Sequence, residues 1–308
     1  MAHDCSQRGS TPRLLGIDFT SAPRRAKPIT VAHGRLDGAS VVLDDIEHCP
    51  DWAGFEAVLA RPGPWLGAFD FPFGLPREAV IDLGWPQTWQ ELVRHCAVMG
   101  KPAFRAALDA YRETRPAGRR YAHRSTDLPA RSHSPLKLVN PPVGLMFLEG
   151  APRLLAAGVH VPGMHAGDAT RVAIEAYPGL LARRITSASY KSDERRKQTP
   201  ERRAARAAIV DALVRGAPSS GGQQPAPALH ATPAQRESLV EDASGDLLDA
   251  VLALLQAAAA SRRGAPRFGL PADFDAVEGW ITGCTPGTGH AAPASASPQP
   301  ATAQGLVQ

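Results

Sequence analysis

Cysteine is scarce and scattered. The four residues Cys5, Cys49, Cys96 and Cys284 lie far apart in the 308-residue chain and form no CxxC pair. That spacing excludes a zinc ribbon and a disulfide framework, and a reducing, cytoplasmic setting is the expectation. Long apolar runs are missing: no stretch reaches the roughly 18 residues a transmembrane helix needs, so no membrane partner is expected. The first twelve residues are polar and hold no apolar signal-peptide core, so no secretory leader is expected. The nucleotide motifs are absent as well. No GxGxxG follows the first apolar run, no GxxxxGK[ST] occurs anywhere, and there is no GxSxG elbow. The ten histidines form no HxxxH pair on a plausible helix. His160 and His165 flank Pro162-Gly163, which puts them on a loop, and no zinc site is expected there.

What is present is globular. Hydrophobic residues make up 44% and charged residues 21%, ordinary values for a chain that buries a core as one large domain or two modest ones. The formal charge of +4 is unevenly spread. From Arg94 to Lys137 the chain carries +7 and from Arg183 to Arg206 it carries +6, so the remainder sums to −9. Such segments can meet phosphates; the plain alternative is two solvated helix faces. Glycine and proline also cluster. Residues 216–233 are low in complexity and are expected to form a mobile loop. Residues 285–308 carry no Asp, Glu, Lys or Arg and read as a disordered tail. Residues 1–12 read as a flexible N-terminus.

Apolar periodicity predicts strands at Arg13–Phe19, Ile29–Leu36, Val41–Ile46 and Pro64–Phe71, with a hairpin break at Asp37-Gly38-Ala39. A helix is predicted over Asp51–Arg61, with Asp51 as N-cap. Residues 77–167 read as an irregular helical excursion containing Trp89–Met99, Phe104–Arg112 and Gly144–Ala157. A further strand spans Val172–Ala176. Helices follow at Pro200–Arg215 and, as one long element, Glu237–Ser261. Three strands before the first helix argue against a Rossmann arrangement, where strands and helices alternate from the start.

The chemistry signal is a set of acids in apolar context: Asp18 in LLGIDFTSAP, Asp70 in WLGAFDFPFGLP, Glu175 in VAIEAYPGLL, and Asp246 and Asp249 in GDLLDAVLALL. A lone carboxylate is costly to bury unless it is paired or bound to a cation. Acids from separate strands are best explained if they converge, and oxygen ligands favour Mg²⁺. Two metals held in this way would activate water and stabilise the leaving oxygen of an in-line phosphoryl displacement, with a basic segment holding the phosphate backbone. Local alternatives stay open. Asp246 and Asp249 share one helix face and could simply favour the helix dipole; Asp18 and Asp70 could be turn or cap acids.

GIDFTSAP, FDFPFGLP, IEAYPGLL with a downstream SYKS, and GDLLDAVLALLQA, in that order over Leu14 to Ala260, resemble the domain of unknown function 429 family. That family is described as predicted nucleases with a ribonuclease H-like fold. The resemblance implies an α/β protein: a ribonuclease H-like mixed sheet of three antiparallel strands, a helix and further strands, built from residues 13–76 and 168–284, with residues 77–167 as a helical insertion. It implies catalytic acids at Asp18, Asp70, Glu175, Asp246 and Asp249, with Mg²⁺ or Mn²⁺ held by Asp18, Asp70, Asp246 and Asp249. Substrate-binding roles are expected for Ser21, in the turn after the first strand, and for Arg124, Tyr190 and Lys191. Lys191 reads as a phosphate clamp or as part of an exposed loop. Arg124 and Asp127 match a family motif and read either as a substrate-contacting loop or as an internal ion pair. The expected activity is metal-dependent hydrolysis of phosphodiester bonds, with nucleic acid or another phosphodiester as partner. The alternatives are a non-catalytic nucleic-acid-binding protein or an ATP-dependent phosphotransferase on a related fold.

Overall fold

The computed structural model describes residues 12–216 and 227–286. Strand β1 (Arg13–Asp18) is buried at every position after Arg13, because a strand covered on both faces has no side left for polar residues. β2 (Ile29–Asp37) and β3 (Ser40–Cys49) form an antiparallel hairpin closed by a two-residue turn in which Gly38 adopts φ +55. Helix α1 (Trp52–Leu59) starts where the Asp51 carboxylate accepts the Gly54 N–H at 2.8 Å, which satisfies one of the otherwise orphaned N-terminal donors. β4 (Trp65–Phe69) is wholly buried.

Helices α2 (Arg77–Asp82), α3 (Trp89–Glu113), α4 (Asp127–Ala130) and α5 (Val143–Ala156) follow, then the two-residue strand β5 (Val159–His160). The two segments expected at 89–99 and 104–112 belong to α3, which breaks at Gly100 (φ 70, ψ 168). β6 (Asp168–Glu175), α6 (Pro178–Ile185), α7 (Pro200–Arg215), β7 (Ala228–His230), α8 (Pro233–Glu241) and α9 (Asp246–Arg263) complete the order.

The sheet runs β5-β6-β4-β1-β2-β3-β7. β1, β4 and β6 are parallel, and β2 is antiparallel to both β1 and β3. This is a ribonuclease H-like mixed α/β fold. One face carries Leu15, Ile17, Val31, Trp65 and Phe69, packed in a single core with Phe55 of α1 and with Trp89, Phe104, Phe147 and Leu154 of the 77–167 segment. The helical insertion is therefore a structural layer of the fold. The opposite face, with Leu14, Ala32, Leu66, Ala68, Val172 and Ile174, is covered by α9 and by α6, α7 and α8. Helix α9 lies almost on the backbone of β1: a Cβ added to Gly16 would sit 2.1 Å from both Ala250 O and Leu254 N. Only glycine permits that approach.

Two expectations change. The helix read as continuous over Glu237–Ser261 is two helices. They are separated by a turn in which the Asp242 carboxylate accepts the Ser244 hydroxyl at 2.6 Å and the Leu247 N–H at 2.9 Å, and Gly245 takes φ +81. The loop expected over 216–233 is shorter at its end, since Ala228–His230 pairs in parallel with β3 and Thr232 caps α8; residues 217–226 lie outside the described residues. The edge strands β5 and β7, of two and three residues, are too short to show periodicity. The expectations for residues 1–11 and 287–308 fall outside the described residues. Cys49, Cys96 and Cys284 are free and buried, and no described helix is long and apolar enough to cross a membrane.

Candidate metal centre

The register of the parallel strands sets the first two acids side by side. Ile17 pairs with Phe69; Asp18 ends β1, and Asp70 follows β4 with its N–H donating to Ile17 O at 2.9 Å. Both lie at the carboxyl ends of parallel strands, where α/β sheets open their binding crevices. Helix α9, seated on Gly16, delivers the third acid from its first turn. One carboxylate oxygen from each of Asp18, Asp70 and Asp249 lies within 4.8 Å of the others. Asp249 is fully buried and Asp18 is 7% exposed, while Asp70 is partly open to the cleft above.

Burial raises the Asp18 pKa well above the ordinary carboxylate range, and the neighbouring charges of Asp246 and Asp249 add to it. Burial likewise pushes Asp70 up to about 7, with Asp249 and Glu175 adding and Lys191 opposing. Among the described residues no group donates a hydrogen bond to the side chain of Asp18 or Asp70. These are desolvated, like-charged oxygens with free lone pairs, which is the condition a cation relieves. An all-carboxylate donor set suits a hard divalent ion such as Mg²⁺ or Mn²⁺, so the residues fit the metal that the sequence implied.

The other expected site residues sort around this triad. Asp246 is not part of it. Its carboxylate accepts the Lys27 ammonium at 2.8 Å, and Lys27 also reaches Asp193 at 2.7 Å. Burial raises the Asp246 pKa, while Lys27 works against the rise. The i,i+3 spacing does put Asp246 and Asp249 on one helix face, but Lys27, on the segment between β1 and β2, engages the first of them. Asp249 itself accepts the Tyr190 hydroxyl at 2.6 Å on one oxygen and pairs with the Lys191 ammonium through the other.

Glu175 is also outside the triad. The buried Arg124 guanidinium donates to both of its oxygens, at 2.7 and 2.8 Å, and the Phe73 N–H donates at 2.9 Å. Arg124 also grips Asp127, at 2.9 and 3.1 Å. Of the two readings of the Arg124–Asp127 motif, the internal ion pair is the observed one. It ties the insertion to the end of β6. Glu278 completes this corner: its carbonyl accepts from Arg124 at 3.0 Å and its carboxylate from the Ser125 N–H and hydroxyl at 2.8 Å. Burial raises the Glu175 pKa against the pull of Arg124, and the charges of Asp127 and Glu175 overcome the burial of Arg124 to raise its pKa.

A cleft of ≈ 920 Å³ opens over the acids. Ser21, Arg124 and Lys191 line it; Tyr190 stands behind Asp249. The two basic segments reach it through Arg124 and through Lys191 and Arg195, while several of their other bases are engaged away from it. Arg112 and Arg115 pair with Asp109 and Glu78, Arg203 pairs with Glu241, and Arg206 donates to the backbone of Tyr190 and Val240. Arg24 and Lys27, after β1, add cations from outside those segments. Arg24 and Lys27 escaped the sequence reading although a signal exists. Between Asp18 and Asp37 the chain carries four bases and no acid, in a stretch too short to stand out in a long charge window. Glu278 gave no such signal.

The family model described as "Protein of unknown function (DUF429)" matches residues 16–273. The chain belongs to the DUF429 family. No curated protein and no solved structure gives a match. The DUF429 span contains Asp18, Asp70, Asp249, Lys27, Lys191 and the Arg124–Glu175 pair. Glu278, whose carboxylate holds Ser125 in place, lies just beyond it.

Proposed function

We propose that this DUF429 protein hydrolyses phosphodiester bonds, as a nuclease or phosphodiesterase, using Mg²⁺ or Mn²⁺ held by Asp18, Asp70 and Asp249. The observation that carries the reading is the convergence of three carboxylates, two of them without a described donor, at the open end of the sheet. A bound divalent ion supplies water activation and charge neutralisation at the phosphoryl oxygens. The protein's own groups do the rest. Lys27, Arg24 and Arg195 present positive charge to an anionic substrate in the cleft. Asp246 and Asp193 fix the direction of the Lys27 ammonium. The Arg124–Glu175 pair holds the insertion against β6, so the cleft wall formed by Pro141, Pro142 and Met146 keeps its distance from the acids.

The substrate is nucleic acid or a smaller phosphodiester. Few unpaired bases line the cleft, which favours a single strand or short substrate over a long duplex, whose grip needs many phosphate contacts. The test is cleavage of single-stranded, duplex and branched oligonucleotides and of a small chromogenic phosphodiester, with Mg²⁺, Mn²⁺ or EDTA. Activity should require metal and vanish in the Asp18→Asn, Asp70→Asn double variant. Equal turnover by that variant would refute the proposal.

A further inference from the structure

Lys191 occupies a place that the chemistry of the triad reserves for a cation. Its ammonium sits on the Asp249 oxygen that Tyr190 leaves open, so both Asp249 oxygens already have partners within the protein. The placement is built. The Tyr190 carbonyl is held by the buried Arg206 at 2.7 Å and the Lys191 carbonyl by Arg202. The lysine stem runs over Gly245, where an added Cβ would lie 2.6 Å from Lys191 Cβ. The backbone is thus anchored while the side chain, 43% exposed, borders the cleft that it lines.

We infer that Lys191 is an internal counter-cation of the carboxylate triad, which a divalent metal ion must displace from Asp249 in order to bind. The inference rests on the metal-binding reading above and adds a regulation of that same site. Two positive centres on one buried carboxylate group repel strongly, so the ammonium and the ion exchange places. The metal-free protein keeps its acids neutralised, and metal affinity is set by competition with a residue of the chain itself. The exchange also turns an ammonium out toward the cleft when the metal arrives, which couples metal loading to the capture of an anionic phosphoester oxygen.

The experiment is calorimetric titration of Mn²⁺ and Mg²⁺ into the full chain, wild type and the Lys191→Met and Lys191→Gln variants, with acetic anhydride labelling of the wild type read by peptide mass spectrometry. Both variants should bind Mn²⁺ at least about tenfold more tightly than wild type, because the competitor is gone. Saturating Mg²⁺ should raise acetylation of Lys191 several-fold while leaving the exposed Lys101 unchanged. Unchanged or weaker affinity in the variants, where wild type binds, overturns the exchange and leaves the metal site standing. Absence of binding in wild type and variants alike overturns both. If the variants do not fold, labelling decides: no rise at Lys191 under metal concentrations that bind refutes the exchange.

Discussion

Replacing Asp70 by asparagine should stabilise the metal-free protein at alkaline pH while abolishing metal binding. The desolvated carboxyl of Asp70 has its pKa raised from the ordinary 3.8 to about 7, so the folded state resists its ionisation. For an acid shifted upward, folding favours the neutral form. The stability this contributes is complete below about pH 4 and is lost progressively as pH rises through about 7. The difference corresponds to roughly 4 kcal/mol lost at full ionisation, and to about 3 kcal/mol between pH 4.5 and pH 8. The amide introduced by Asp70→Asn carries no charge at either pH. Its own cost of burial without a partner is the same at both and cancels in the comparison. Urea unfolding in EDTA at pH 4.5 and pH 8 measures this directly: relative to wild type, the variant should gain about 3 kcal/mol on going to the higher pH. Added Mg²⁺ should then stabilise wild type by RT ln(1 + [L]/Kd) and leave the variant unmoved. A wild-type-to-variant difference that is flat with pH would mean that Asp70 does not carry the buried charge, and the argument for a cation-seeking triad would fail with it.

Other perturbations separate the remaining parts. Gly16→Ala should cost about 2 kcal/mol or more in urea unfolding, because the new methyl meets the α9 backbone at 2.1 Å, and it should weaken Mn²⁺ binding by shifting Asp249. Arg124→Met should cost about 3–5 kcal/mol, since it leaves Glu175 and Asp127 buried without their cation; thermal unfolding should show partial recovery in the Arg124→Met, Glu175→Gln double variant. Asp249→Asn should lower Mn²⁺ affinity beyond calorimetric detection. Asp246→Asn, which loses only the Lys27 contact, should lower it by about tenfold; equal losses would return Asp246 to the metal-binding group.

Read without its fold, the chain already identifies the strand acids, the order of the central elements and the family resemblance. Buried strands and amphipathic helices write their periods into the residues, and an acid closing an apolar run, as in RLLGID or WLGAFD, has few simple explanations. Asp51 as the cap of α1 and the α7 boundaries at Pro200 and Arg215 were legible for the same local reason. Which acids meet is a matter of tertiary packing. Asp18 and Asp70 converge because β1 and β4 pair in parallel register. Asp249 joins them because Gly16 lets α9 rest on β1. Asp246, one turn earlier on the same helix, is instead claimed by a lysine 219 positions away in sequence. Glu175 looked like the other acids and proved to be the partner of Arg124. The two basic segments counted as charge in the chain but are mostly engaged by neighbouring acids and carbonyls; the cleft takes Arg124, Lys191 and Arg195 from them and adds Arg24 and Lys27 from the stretch after β1. Composition sums over such pairings and periodicity does not sense them, since both are blind to contacts between residues far apart in the chain.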